Sequence, residues 1–218
     1  MDIVEEAVFN FQQQTWHLSA GKALYWAEEK ALILSDLHLG KSAHFRKAGI
    51  AVPTGIIEED LYRLQQLITR YHPEQIIVVG DLFHSSANNE VQYFRLWRQQ
   101  FAHIRFILVK GNHDILDASL YDSLQINVQD TLILRNIHFM HEPCEDKENG
   151  HYTFSGHLHP GVIIAGGGRQ HLRLPCFYFG KHCGILPAFG RFTGLAMLKP
   201  DTGEPVFAIA NKSIFQVQ

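Results

Sequence analysis

One pattern recurs in this 218-residue sequence and constrains the fold more than any other feature. A short apolar, β-prone run ends abruptly in polar side chains that can bind a metal. The first example is Ala31–Leu34, which is followed by Ser35-Asp36-Leu37-His38. Apolar runs of this kind suit strands that are buried on both faces, as in a sheet covered by helices. The later examples are Gln75–Val79 before Gly80-Asp81, Phe106–Val109 before Gly111-Asn112-His113-Asp114, Ile137–Met140 before His141, and Tyr152–Ser155 before Gly156-His157-Leu158-His159.

Helical patterns separate the first three runs. Thr54 is expected to cap a helix that ends before Pro73, and Asn88 or Asn89 is expected to cap a second helix. This alternation predicts β-α-β-α-β crossovers and parallel strands. The apolar stripes of the two helices are Ile57, Leu61, Leu64 and Ile68 in the first, and Val91, Phe94, Trp97 and Phe101 in the second.

The rest of the chain has strand character. Thr15–Trp26 predicts an N-terminal β-hairpin at about residues 15–27, and Thr131–Met140 predicts two strands around Arg135-Asn136. A β-rich C-terminal part is expected at about 160–218, and no linker or repeat divides the chain. We therefore predict one domain over residues 1–218, a layered α/β fold with mixed β-sheets sandwiched by helices.

The composition excludes several classes of protein. There are 14 histidines but only 3 cysteines, and none of these lies in a Cys-x-x-Cys pair, which argues against disulfide frameworks, zinc fingers and thioredoxin-like sites. The net charge of −3 does not suggest a globally basic nucleic-acid binder. The acidic N-terminus does not resemble a signal peptide and no apolar run reaches membrane length, so a cytoplasmic protein without a membrane partner is expected.

The polar residues after the strands predict a metal site. Ligands of open α/β sheets bind beyond the carboxyl ends of the strands, where these residues would converge. Carboxylate, imidazole and carboxamide groups without thiolate suit Mn²⁺, Fe²⁺ or Zn²⁺, and a carboxylate can bridge two ions. Each neighbouring glycine, such as Gly80 or Gly156, would permit a tight turn or a close approach of the backbone.

The complete set resembles the signature of calcineurin-like binuclear metallophosphoesterases, in the order of that family. The residues are Asp36-x-His38, Gly80-Asp81, Gly111-Asn112-His113-Asp114, His141 and Gly156-His157-x-His159. Further segments resemble the bacterial ligase-associated DNA damage response endonuclease branch. They are Ala23-Leu-Tyr-Trp26, Ser35-Asp-Leu-His-Leu-Gly-Lys41, Ala43-His-Phe-Arg46, Gly80-Asp-Leu-Phe-His84, Leu174-Pro-Cys-Phe177 and Leu186-Pro-Ala-Phe-Gly190.

The resemblance implies a residue-by-residue assignment of two divalent ions, with Mn²⁺ expected first and Fe²⁺ or Zn²⁺ as alternatives. It also implies that His113 protonates the leaving oxygen, and Asp114 could orient that imidazole. One ion would be held by Asp36, His38, Asp81 and His159, and the other by Asp81, Asn112, His141 and His157, with Asp81 as the bridge.

Two acid-free stretches suggest where an anionic substrate binds. No carboxylate occurs from Leu37 to Ile57 or between Glu148 and Asp201. The candidate substrate-binding residues in these stretches are Lys41, His44, Arg46, Lys181 and His182, and His84 is a further candidate because it lies three residues after Asp81. Ordinary loop, core or helix-start roles are the alternative for each of these residues.

The leading hypothesis is a metal-dependent phosphodiesterase that acts on nucleic acid, as a DNA repair-type nuclease. The alternatives are a small-molecule phosphatase, a nucleotide or lipid-linked pyrophosphohydrolase, and a non-catalytic scaffold with the same fold. A scaffold would be expected to lose ligands or His113, whereas all of them are present. An association with a ligase or a helicase is implied only by the resemblance to the endonuclease branch.

Overall fold

Two β-sheets stack face to face in the computed structural model, which describes residues 5–41, 45, 49, 55–84, 89–143, 150–166, 171–191 and 193–218. The first sheet has seven strands in the order β1 to β7. Its first four strands are joined antiparallel, and β4 to β7 run parallel. Their bounds are β1 Glu6–Phe11, β2 Gln14–Ser19, β3 Ala23–Trp26, β4 Ala31–Leu34, β5 Gln75–Val79, β6 Arg105–Val109 and β7 Ile126–Gln129.

The second sheet has nine strands and a mixed topology. Its main path is β14-β11-β12-β13-β10-β9-β8, and β15 pairs with both β12 and β16. The bounds are β8 Leu132–Leu134, β9 Ile137–Phe139, β10 Tyr152–Ser155, β11 Pro160–Ala165, β12 His171–Phe179, β13 Cys183–Ile185, β14 Ala196–Met197, β15 Val206–Ala210 and β16 Ser213–Gln216.

One face of the first sheet is covered by α1 Ile56–Tyr71, α2 Asn89–Gln100 and α3 Ala118–Ser123. A short 3-10 helix, Ala27–Glu29, joins β3 to β4. Leu32 and Leu34 of β4 pack on this helical side, whereas Ala31 and Ile33 pack against the second sheet. The alternation explains why β4, β5 and β6 read as continuous apolar runs, since both faces are buried.

The predicted layered α/β architecture is confirmed, with two differences of detail. Within the described residues, the layer opposite the helices is the second sheet rather than more helices. The N-cap position of α1 is Gly55, with a φ of 87° and no side-chain cap, and Thr54 lies outside the described residues. Among the described helices, none is long and apolar enough to cross a membrane.

Aromatic side chains fill the space between the two sheets. Trp16 and Trp26 of the first sheet lie 4.9 Å apart between ring centroids, and Phe154 of the second sheet lies 5.1 Å from Trp16. Burying each such ring contributes about 1.5–3 kcal/mol. This packing fixes the two sheets against each other, and therefore fixes the loops that leave their shared edge.

Candidate metal centre

The metal-competent residues lie in loops that leave the two sheets at one edge. Asp36 follows β4, and Asp81 follows the parallel neighbour β5. His141 follows β9 in the second sheet, and His157 follows the parallel strand β10. The imidazole Nε2 of His141 lies 3.5 Å from the Oδ2 of Asp81, which joins the two sets of loops.

Asp36, His38 and His159 form what we call the first cluster. One ligand atom from each residue lies within 4.8 Å of the others. The His159 Nε2 is 3.3 Å from Asp36 Oδ1 and 3.4 Å from the His38 Nε2. The same His38 nitrogen lies 3.8 Å from the Oδ2 of Asp81. This geometry brings together four of the residues expected around one ion.

Asp36, Asp81 and His141 form the second cluster, again within 4.8 Å. His157 adjoins it, with its Nδ1 3.2 Å from the His141 Nε2. The backbone amide of His157 also donates to Asp36 Oδ2 at 3.1 Å. Asp36 therefore belongs to both clusters, whereas the family resemblance implies that only Asp81 is shared between the two ions.

The donor set fits divalent cations. Asp36, Asp81, His38 and His141 are all buried. Two pairs of imidazole nitrogens face each other at 3.2 Å and 3.4 Å. Buried carboxylates beside such nitrogens are costly to desolvate and are ordinarily paired or coordinated to a metal. The combination of carboxylate and imidazole suits borderline-hard ions such as Mn²⁺ or Zn²⁺.

The electrostatics of the two clusters differ. Burial and the charge of Lys41 lower the pKa of His38 to about 3. For His141, burial also lowers the pKa, but its hydrogen bond to Asp81 and the charges of Asp81 and Asp36 outweigh it, so the pKa is raised. The pKa of Asp81 is lowered to about 2, because hydrogen bonds from the His141 side chain and the His113 amide overcome the effect of burial.

The backbone is strained at the clustered side chains. Positive φ angles are uncommon outside glycine and cost on the order of 1–3 kcal/mol each. They cluster at functional sites because the surrounding structure must hold them. Five of the expected ligands have φ between 50° and 66°: Asp36, His38, Asp81, His157 and His159.

Close packing explains two of the glycines that flank these residues. A Cβ atom at Gly80 would lie 1.9 Å from the His141 Nδ1, and φ there is 80°. At Gly111 it would lie 2.4 Å from both the backbone nitrogen and the Oδ1 of Asp81. Larger residues would therefore displace His141 or Asp81, so the close approach expected from the sequence occurs at these positions.

His113 lies beside the clusters. Its backbone amide donates to Asp81 Oδ1 at 2.9 Å, and its ring centroid is 5.5 Å from that of His38. The side chain is exposed, as is Asn112, so both can reach a ligand from solvent.

Asp114 differs from its expected role. Its Oδ1 accepts from the amides of Leu82 and Phe83, and its Oδ2 accepts from the amide of Gly111. Burial raises the pKa of its carboxyl to about 6. Among the described residues it makes no hydrogen bond to the His113 ring, so Asp114 holds two loops together instead of orienting that imidazole.

The candidate substrate residues divide into those that lie near the clusters, those that lie outside the described residues and those that lie away from the clusters. Lys41 is half-buried near the clusters: burial lowers its pKa, and the charges of Asp36 and Asp81 act in the opposite direction. The His84 ring lies 4.5 Å from that of His113 and 5.4 Å from that of His38. His44 and Arg46 lie outside the described residues.

Lys181 and His182 are placed away from the clusters, which corrects their predicted role. They form the turn between β12 and β13, and the His182 carbonyl accepts from the amide of Thr153. Thr153 is near the start of β10, whereas His157 follows the end of that strand. The turn therefore lies toward the opposite end of β10.

A polar support that the sequence motifs did not predict lies behind the first cluster. The amides of Phe189 and Gly190 donate to the carbonyls of Ser35 at 2.8 Å and Asp36 at 3.0 Å. The Arg63 guanidinium lies 4.1 Å from the Phe189 ring centroid and donates a hydrogen bond to the buried Asp60 carboxylate at 2.9 Å. The motif Leu186-Pro-Ala-Phe-Gly190 was the available signal, but its partner on α1 is not apparent from sequence.

Comparison with family models identifies the class of protein. The calcineurin-like phosphoesterase model matches residues 30–182, which is well over half of the chain and includes both clusters. The chain therefore belongs to the calcineurin-like phosphoesterase family and is a metal-dependent phosphoesterase, which confirms the resemblance seen in the sequence.

Solved structures give a closer likeness. The chain is similar to the crystal structure of the Pseudomonas putida nuclease MPE, with a TM-score of 0.84 and 29% identity over 98% of this chain and 100% of that chain. Yfce, a phosphoesterase from E. coli, matches with a TM-score of 0.43 and 14% identity over 86% of this chain and 97% of that chain. A search of curated proteins found no match.

Proposed function

We propose that this chain is a two-metal phosphodiesterase that cleaves nucleic acid. The observation that carries the proposal is the pair of adjoining clusters that share Asp36, at an edge where His113 is exposed. The likeness to a nuclease along the whole chain supports nucleic acid as the substrate. The finer proposal is a cytoplasmic DNA repair nuclease that uses Mn²⁺, with a ligase or a helicase as a functional partner.

The proposed ligands follow from the two clusters. Asp36, His38, Asp81 and His159 would hold one ion. Asp81, Asn112, His141 and His157 would hold the other, and the position of Asp36 in both clusters suggests that it contributes to each. When bound, two divalent ions activate a water nucleophile and neutralise charge on the phosphoryl group.

The protein's own residues supply the remaining steps. His113 is held beside the site because its backbone amide donates a hydrogen bond to the Asp81 carboxylate, and its exposed imidazole can donate a proton to the leaving oxygen. Lys41 adds positive charge near the clusters, which favours binding of a phosphate anion. His84 packs against His113 and limits where that ring can lie.

A substrate panel tests the proposal. The Mn²⁺-loaded protein is assayed on a bis-aryl phosphodiester, an aryl phosphomonoester and DNA. We expect turnover of the diester and of DNA. Turnover of the monoester alone would make the diesterase assignment wrong and favour a small-molecule phosphatase. Turnover of a nucleotide diphosphate, without DNA cleavage, would favour a pyrophosphohydrolase.

A further inference from the structure

Strands β11 and β12 form a ribbon that extends past the metal centre. β11 begins at Pro160, directly after the ligand His159, and Val162–Ala165 pairs antiparallel with His171–Leu174. We call these two paired segments the arm.

The direction of the arm follows from the sheet topology. β12 is antiparallel to both β11 and β13, and β13 is parallel to β10, so β11 and β10 run the same way. Tyr178 is level with Ile185 and Ser155, at the end of β10. Arg173 lies five residues before Tyr178 in β12. Because β12 runs antiparallel to β10, Arg173 is roughly 17 Å beyond the level of Ser155, at about 3.3 Å per residue. The arm therefore projects outward on the side where the metal-ligand loops leave the sheet.

Side-chain alternation shows which face of the arm looks toward the metal centre. Phe177 and Phe179 pack in the core between the two sheets. Alternate residues share one face of a strand, so Arg173 and His171 lie on the same face as these phenylalanines. Ile163 is the cross-strand partner of Arg173 and shares that face. The face that is buried at Phe177 thus becomes exposed at Arg173, toward the side of the first sheet and its ligand loops.

The arm carries one cationic side chain, Arg173, and has no acidic neighbours in sequence. No carboxylate occurs between Glu148 and Asp201, and both strands of the arm lie inside this stretch. Arg173 is exposed and makes no ion pair with any described residue. By contrast, the guanidinium groups of Arg63, Arg70 and Arg135 are all paired with carboxylates.

Apolar side chains accompany this charge. Ile163 is 51% exposed beside Arg173, and Leu158 is 37% exposed between His157 and His159. A surface that places a cation beside exposed aliphatic groups can contact both the phosphates and the bases of a nucleic-acid strand. A polymer of phosphates bound at the clusters is long enough to extend along the arm to Arg173.

We propose that the inner face of the arm, with Ile163, Arg173 and His171, binds the nucleic-acid strand that flanks the scissile phosphate. The inference rests on the proposed function and adds the surface that makes the enzyme select a polymer. Arg173 contacts a backbone phosphate a few nucleotides from the metal centre, and Ile163 contacts sugars or bases.

Arg173→Ala tests this surface, with Arg105→Ala as the matched control. Arg105 is also exposed and makes no ion pair with described residues, but it begins β6 and so lies at the opposite edge of the first sheet. Each protein is assayed with Mn²⁺ on a bis-aryl phosphodiester, a dinucleotide and a DNA 20-mer, and 20-mer binding is measured against salt concentration.

For Arg173→Ala we expect the KM for the 20-mer to rise about five- to ten-fold, and the slope of log affinity against log salt to fall by about 1. The bis-aryl diester and the dinucleotide should be hydrolysed as by wild type, and Arg105→Ala should match wild type throughout.

An equal loss on all three substrates, or no change on the 20-mer, would overturn the arm proposal while leaving the proposed function intact. If wild type hydrolysed the bis-aryl diester but no nucleic acid, both the nucleic-acid function and the arm would be wrong.

Discussion

The two clusters of the candidate metal centre use the same types of side chain, but the pKa values of their histidines are shifted in opposite directions. In the first cluster, burial and Lys41 keep His38 neutral, with its pKa lowered to about 3. In the second cluster, the pKa of His141 is raised because its side chain is hydrogen-bonded to Asp81 and because the negative charges of Asp81 and Asp36 stabilise the protonated imidazole. Imidazole must be neutral to bind a metal. The raised pKa of His141 therefore opposes metal binding at the second cluster, whereas burial and Lys41 keep His38 in the neutral form that a metal requires.

The difference has a physical source in the surroundings of each histidine. Lys41 places a positive charge near His38, and the Nε2 of His38 is 3.8 Å or more from the nearest carboxylate oxygens. His141 approaches Asp81 more closely, at 3.5 Å.

Removal of ligands should have the largest effect and separate the two clusters. We expect His159→Ala to lose the ion of the first cluster and His141→Ala the ion of the second, while Asp36→Asn weakens both because it belongs to both. Activity should fall by more than the roughly 10–100-fold typical of changes to groups that only support a ligand. Metal analysis of the purified variants measures the ions retained.

His103→Ala is the control for these variants, since His103 is exposed and precedes β6 at the other edge of the sheet. Equal loss of both ions from His159→Ala and His141→Ala would contradict the division into two clusters.

Replacement of His113 should impair turnover without changing the metal content. His113→Ala removes the proposed proton donor, which contributes typically about 10²–10⁴-fold. The loss should be larger for DNA than for a bis-aryl diester, whose aryl oxide leaves more readily without a proton. Steady-state rates on both substrates, with metal analysis, check this. Equal losses on both would contradict the role in proton donation.

The support behind the first cluster provides a more moderate test. Asp60→Ala would leave the Arg63 guanidinium without its carboxylate, and breaking a buried pair in this way costs about 3–5 kcal/mol. Because Arg63 packs on Phe189, behind Asp36, we expect weaker metal binding at the first cluster than at the second. Denaturant unfolding and metal titration measure the two effects. Equal weakening of both ions would show a general loss of structure.

The smallest expected effect is on the pH dependence of the metal-free protein. His141 has a raised pKa when folded, so its contribution to stability is present below its unfolded value of 6.5 and is lost as pH rises through the folded pKa. Asp81 acts oppositely: its contribution is present above 3.8 and is lost as pH falls toward about 2.

Unfolding of metal-free wild type and of His141→Ala, measured from pH 6 to pH 9, isolates the histidine. Wild type should lose stability relative to the variant as pH rises. The same pH dependence of stability in wild type and in His141→Ala would show that the pKa of His141 is not raised in the metal-free protein.

Much of the fold was predictable because the strand signals are local. Ala31–Leu34, Gln75–Val79 and Tyr152–Ser155 are strands with the bounds that their apolar runs indicated. The residues after them converge because parallel strands end at a common edge.

The remaining features depend on contacts that a single sequence does not encode locally. The position of Lys181 depends on which way β13 runs beside β10, and the role of Asp114 depends on the path of the Leu82 loop. The shared position of Asp36 depends on how the two sheets pack. Positive φ angles at His38 and Asp81 are equally hidden, since these residue types do not require them.

Calorimetric titration of Mn²⁺ into chelator-treated protein tests the central claim most directly. Repeating it near neutral pH in buffers of different ionisation enthalpy counts the protons released with each ion. We predict two ions per chain for wild type and one for His141→Ala, and the proton release that accompanies the ion of the second cluster should be missing from the variant. A single ion bound to wild type, or the same proton release from wild type and from His141→Ala, would contradict the account.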